Sequence, residues 1–359
     1  MSQAKQSKAM PRKSTAGESI GSTSRPRAIA TWLFGISGLI LIMVIIGGIT
    51  RLTESGLSIT QWKPVTGTLP PLSAADWQAE FDAYRSSSQY VLMNQGMTLA
   101  DFKHIFFWEY VHRLFGRLIG LAFALPLIWF LVKRAVPRGY ALRLVVLLLL
   151  GGAQGAIGWL MVRSGLTDRV NVEPAMLAAH LGMALILMAV VVWTAADMLA
   201  EARGEHRKAR LTLFGGVALL LLFVQILLGA ITAGLRAGQV ANTWPLMNDQ
   251  LVPAGIMWWG SFWLTITSDP FLVHFLHRWW AWGAAIALFL LAARLNRIGA
   301  TRFAFMLCAL ILLQIMLGIA TVLTGVSLPL AVLHQAGGAL LLGAAVMGAH
   351  AIGGQPRPA

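Results

Sequence analysis

Cysteine is all but missing from the sequence: 359 residues contain one, Cys308, set inside an apolar run. No intramolecular disulfide is available, and no cysteine-based metal site can be built. Acidic residues are scarce too, 14 against 28 Lys and Arg. Charged residues of both signs reach only 12%, where ordinary soluble domains carry about 25%. That shortage excludes a conventional water-facing surface. With an apolar share of 57%, a lipid-embedded chain is expected. The net charge of +14 does not describe a nucleic-acid face. The basic residues lie in short connections between apolar runs, the pattern of orientation signals, so no nucleic acid is expected as a partner.

Eight runs are long enough to cross about 30 Å of hydrocarbon. They cover 28–49, 106–132, 142–162, 174–196, 211–233, 271–293, 303–323 and 329–350. The fold class expected is an all-α membrane protein. Residues 1–27, rich in Ser, Lys and Arg, read as a disordered tail. The run from Ala28 is too long for the core of a cleaved signal peptide and is kept as the first span. Lys and Arg concentrate in that tail, near 133–143, 198–210 and 294–302, and at Arg357 in the C-terminal tail 351–359. The positive-inside rule places both termini in the cytoplasm. Two connections on the other side are long, about 50–105 and 234–270. Within the first, Trp77, Phe81 and Tyr84 fall at helical spacing. A helix over 73–85 is expected to lie on the membrane surface or cap the bundle.

The chain repeats itself. Gly47-Gly-Ile-Thr50 matches Gly229-Ala-Ile-Thr232, and His112-Arg113 matches His277-Arg278. Gln154-xxx-Gly158 matches Gln314-xxx-Gly318, and His180 matches His334. Two tandem four-helix bundles are implied, an N-terminal half over 28–200 and a C-terminal half over 201–350. Each has an even number of spans, so both face the same way, related by a pseudo-twofold axis along the membrane normal.

Ionisable residues inside a membrane are costly and usually functional. His112, His180, His277 and His334 each sit six or seven residues in from the outer end of an even-numbered span. That is a depth of about 10 Å. Facing imidazoles in a bundle core are a familiar way to hold haem iron, and two per half give one site per half. Any one of them alone reads equally as a hydrogen-bonded interior histidine. His274 shares a helix face with His277 and is an alternative axial ligand. His104, His206 and His350 read as surface or interface residues.

Glu109 lies three residues before His112, on the same helix face. A carboxyl group there could stabilise developing positive charge or move protons during oxidation of a substrate. The plainer reading is an ion pair with Arg113 or Arg51. Val273-His274 stands at the matching place in the second half, so the halves are chemically unequal. Arg113, Arg117 and Arg278 lie beside the histidines and are candidates for pairing with haem propionates, or for ion pairs between helices.

Two stretches carry a family resemblance. Gly47-Gly-Ile-Thr-Arg-Leu-Thr-Glu-Ser-Gly-Leu-Ser-Ile-Thr60 is followed by Trp62-Lys-Pro-Val-Thr-Gly67. The second is Asp101-Phe-Lys-His-Ile-Phe-Phe-Trp-Glu-Tyr-Val-His-Arg-Leu-Phe-Gly-Arg117. Over 28–350 the chain resembles the haem A synthase family, in the proteobacterial and mitochondrial branch that lacks a cysteine pair. The resemblance implies an oxidoreductase that turns the C8 methyl of haem O into the formyl group of haem A by successive hydroxylations. It implies that His112 and His180 hold the substrate haem and that His277 and His334 ligate a haem b. It also implies that Glu109 is catalytic. Implied partners are a haem O synthase upstream and cytochrome c oxidase assembly factors downstream, in a bacterial inner membrane with the haem sites near the periplasmic face. A homo-oligomer is compatible with all of this. The rival readings are a cytochrome b-like electron-transfer subunit, which would stack its haems across the membrane, and a transporter, which would need a polar pathway.

Overall fold

The computed structural model describes residues 24–63, 66–166, 169–205 and 208–355. Residues 1–23 of the expected tail, His206, and 356–359 lie outside the described residues. Among the described residues the secondary structure is helical, apart from turns and one isolated bridge between Met247 and Gln250.

Eleven α-helices follow in order: α1 (Pro26–Leu52), α2 (Ala74–Arg85), α3 (Ser88–Met93), α4 (Leu99–Val132), α5 (Ala141–Leu166) and α6 (Pro174–Ala202). Then come α7 (Leu213–Gly234), α8 (Phe262–Ser268), α9 (Pro270–Arg297), α10 (Thr301–Leu323) and α11 (Leu328–Gly353). Eight of them, α1, α4, α5, α6, α7, α9, α10 and α11, are long and apolar enough to span a membrane. Seven contain one of the expected runs whole, and α7 begins two residues into the run 211–233, after its N-cap Thr212. The chain is a multi-pass membrane protein.

Local chemistry sets the ends. Pro26, Pro174 and Pro270 open α1, α6 and α9 at a position where the missing N–H costs nothing. Asp269 caps α9 by accepting from the Leu272 N–H at 2.7 Å. The largest departure from expectation is α4, which begins seven residues before 106, at Leu99. Thr98 and Asp101 form a reciprocal capping box there, and hydropathy alone is blind to it. Exposed His104 therefore sits within α4 rather than ahead of it. Inside α4, Pro126 cannot donate to the Ala122 carbonyl. The Trp32 indole N–H of α1 does so instead, at 2.9 Å.

Contacts close two rings of four helices, α1–α4–α5–α6 and α7–α9–α10–α11. They join where α1 meets α11 and α6 meets α7 and α11. Leu121, Leu125, Leu149, Phe305 and Met316 on the outward faces are exposed, as expected where lipid replaces water. The helix expected over 73–85 is α2. It packs on the start of α4, burying Phe81 and Tyr84 against Phe102 and Phe106.

Polar ties hold the rings together at both ends. Arg51 donates to the Ala233 and Gly234 carbonyls, both at 3.1 Å, and finishes the end of α7. Glu54 pairs with Arg236. Next to His334, Gln335 donates to the Val44 carbonyl at 2.8 Å. At the opposite end, buried Asp197 of α6 accepts from Arg143 of α5 at 2.7 Å and from His350 of α11 at 2.9 Å. His350, expected as a surface or interface residue, is thus a half-buried tie between helices. Asp197→Ala should cost about 1–3 kcal/mol, read as a lower midpoint of thermal unfolding in detergent, because it leaves Arg143 and half-buried His350 without their acceptor.

Candidate functional site

The four histidines of the expected layer occupy equivalent positions, one on each even-numbered span. A glycine of the preceding span faces each ring. A Cβ placed on Gly47, Gly158, Gly229 or Gly318 would stand 3.0, 2.8, 2.9 or 3.0 Å from Cε1 of His112, His180, His277 or His334. Real Cβ atoms rarely come that close to a neighbour, so glycine is what lets an imidazole lie between two packed helices. The sequence repeat at Gly47 and Gly229 is the trace of this requirement.

Three rings also have a glutamine partner, one turn before the facing glycine. Gln154 Nε2 lies 3.1 Å from Nδ1 of His180 and donates to its carbonyl at 2.9 Å. Gln225 stands at 3.1 Å from both groups of His277, and Gln314 at 3.2 and 2.9 Å from those of His334. Gln225 escaped the sequence reading, although its spacing to Gly229 equals that of Gln154 to Gly158. The signal was there.

His277 and His334 have ring centroids 6.3 Å apart, with planes at 85°. Two imidazoles sharing one metal at about 2 Å from each nitrogen would have centroids about 6 Å apart. The buried carboxamide oxygens of Gln154, Gln225 and Gln314 have no hydrogen-bond partner among the described residues. An imidazole that ligates through Nε2 carries its proton on Nδ1 and needs an acceptor there. An amide that turns brings its oxygen to Nδ1 and gives up its present bond to the histidine carbonyl. Donor set, spacing and orphaned acceptors fit an axially ligated haem.

Glu109 is buried, with 3% of its surface exposed. Its Oε2 accepts from the Ser58 hydroxyl at 2.7 Å and the Ile59 N–H at 2.8 Å, and its Oε1 accepts from Arg113 at 2.6 Å. The ion pair with Arg113 is therefore present, whereas Arg51 turns away to α7. Ser58 is a site residue that sequence reasoning missed, being 51 positions from Glu109. Arg113 also donates to the Ile59 and Gln61 carbonyls, and Arg117 to that of Lys63. Trp62 stacks on Trp159 at 5.2 Å, so the first long connection lies across α4 and α5. Beneath it opens a cleft of about 250 Å³ lined by Lys63, Tyr110, Arg113 and Arg117.

The second half repeats the arrangement with different chemistry. Buried Arg278 donates Nε to His274 at 3.0 Å and its other nitrogens to the Ala241, Thr243 and Leu246 carbonyls. Each arginine after a ring histidine thus fastens the long connection of its own half. His274 occupies the place of Glu109, and its Nε2 is engaged by Arg278 rather than presented to His334.

Gly229→Ala should displace the His277 ring and lower the absorbance of haem bound to the purified protein severalfold. Gly151→Ala, where an added Cβ meets nothing within 4 Å, should leave it unchanged.

The chain matches the family model COX15-CtaA, described as cytochrome oxidase assembly protein, over residues 30–346. A protein of Sphingopyxis alaskensis named Heme A synthase is 53% identical over 330 residues, covering 92% of this chain and 93% of its own. Proteins of the same name from Novosphingobium aromaticivorans and Erythrobacter litoralis are 50% and 51% identical, each covering 91% of this chain and 95% and 97% of their own. With a match this long, across all eight spans and every histidine of the layer, the chain belongs to the COX15-CtaA family of cytochrome oxidase assembly proteins.

Proposed function

We propose that the chain is a haem A synthase, an oxidoreductase of haem A biosynthesis that converts the C8 methyl group of haem O to a formyl group by successive hydroxylations. The name carried by its relatives supports the reading. The observation that carries it is the inequality of the two histidine sites. Buried Glu109, gripped by Ser58, Ile59 and Arg113, lies one turn from His112, whereas imidazole His274 stands at that place beside His277. One half has an acid where a substrate would react, and the other has none.

On this reading the half over 28–200 takes haem O between His112 and His180. The half over 201–350 holds a haem b between His277 and His334. That haem b supplies a one-electron relay when bound. Glu109 stabilises positive charge developing at the substrate methyl or takes up the proton released there. Arg113 and Arg117, which line the cleft, would pair with the anionic propionates of the substrate. Arg278 is the corresponding group in the second half, where it also holds the connection. The bacterial relatives support an inner membrane, and the Lys and Arg distribution supports cytoplasmic termini with the sites near the periplasmic face. A haem O synthase would deliver the substrate, and cytochrome c oxidase assembly factors would receive the product.

Co-expression with a haem O synthase, followed by identification of the extracted haems, tests the proposal. Wild type should accumulate haem A, and Glu109→Ala should lower it about 100-fold or more while leaving haem b bound. Haem A from both would reduce Glu109 to a structural role. Bound haem b with no haem A from wild type would favour an electron-carrying subunit.

A further inference from the structure

The glutamine partner is present for three of the ring histidines and missing for the fourth. One turn before Gly47, where Gln154, Gln225 and Gln314 precede the other facing glycines, stands Met43. Its methyl carbon rests 3.2 Å from where a Cβ on Gly116 would be, one turn past His112. Gly338 lies one turn past His334 and receives the amide of Gln314 in the same way. Met43 therefore fills the space of the amide without offering a polar atom to the ring. His112 Nδ1 is buried with no hydrogen-bond partner among the described residues.

We propose that Met43 makes His112 the exchangeable ligand of the layer, so that the haem in the first half binds reversibly while that in the second half is retained. The proposal rests on the reading of these histidines as haem ligands. An imidazole bound through one nitrogen normally gives its other N–H to an acceptor, which fixes the ring and raises its basicity. Losing such a partner typically costs about 10–100-fold in metal affinity. His180, His277 and His334 each have an amide beside Nδ1 whose oxygen has no other partner among the described residues, and His112 has only a thioether. A site that takes in a substrate haem and releases a product haem needs a ligand that lets go. Met43 is thus a positioning residue by omission, acting through His112.

The test uses the purified full-length protein saturated with ferric protohaem and challenged with excess apomyoglobin, whose absorbance reports haem transfer. Wild type should lose haem in a fast and a slow phase, and His112→Ala should abolish the fast one. Met43→Gln should slow the fast phase tenfold or more and lower the midpoint potential of that haem. Met43→Leu, which keeps the volume and adds no polar atom, should leave both phases alone. Gln314→Met should speed the slow phase, an expectation that stands even where an added amide disturbs the first half. A fast phase removed by His112→Ala but unmoved by Met43→Gln in a folded protein would overturn the proposal and leave haem ligation intact. Haem retention indifferent to both His112→Ala and His334→Ala would overturn the ligation reading, and this proposal with it.

Discussion

Four imidazole rings must fit between helices packed at close quarters, and the glycine facing each ring makes that possible. In lipid no hydrophobic gain draws helices together, so contact is won by small residues and by polar groups that find each other. Gly47, Gly158, Gly229 and Gly318 meet the first condition. Three glutamines meet the second by holding ring and carbonyl of the same histidine. Helix spacing, ring orientation and the level of the site in the bundle all follow from this unit of glycine, imidazole and amide. It recurs four times, once with the amide absent.

The same unit explains how two halves built alike diverge. Arg113 and Arg278 both follow a ring histidine and both reach out to loop carbonyls, so each half carries a fastened roof. One turn back, each meets a different partner, a carboxylate in the first half and an imidazole in the second. A change at that single place alters the chemical character of a site while the arginine and the glycine keep their places.

Much of this was legible in the sequence. Hydropathy located the spans, and the histidines announced themselves because ionisable groups are rare in lipid. Glycine repeats pointed to a duplicated layer. What stayed hidden depends on contacts between distant segments. Ser58 reaches Glu109 across a turn with no periodic signal, and Arg51 meets α7 some 182 positions away. The early start of α4 rests on a capping box in a polar stretch that hydropathy discards. Gln225 is different: its spacing was visible, but one amide in an apolar run draws no attention until its neighbour is known. His350 was misjudged because its acceptor, Asp197, lies on another helix.

The ties of α1 to the rest of the chain bear on biogenesis. Arg51 ends on the carbonyls of α7, and the Val44 carbonyl waits for Gln335, so the first helix made is completed by the fifth span and then by the last. During synthesis the N-terminal segment folds first, yet here its C-terminal end keeps a cation without its acceptors until α7 has entered the bilayer. The two halves are therefore not separate modules joined by a linker. A ribosome delivering this chain delivers a lock before its key, and only release of α11 closes it.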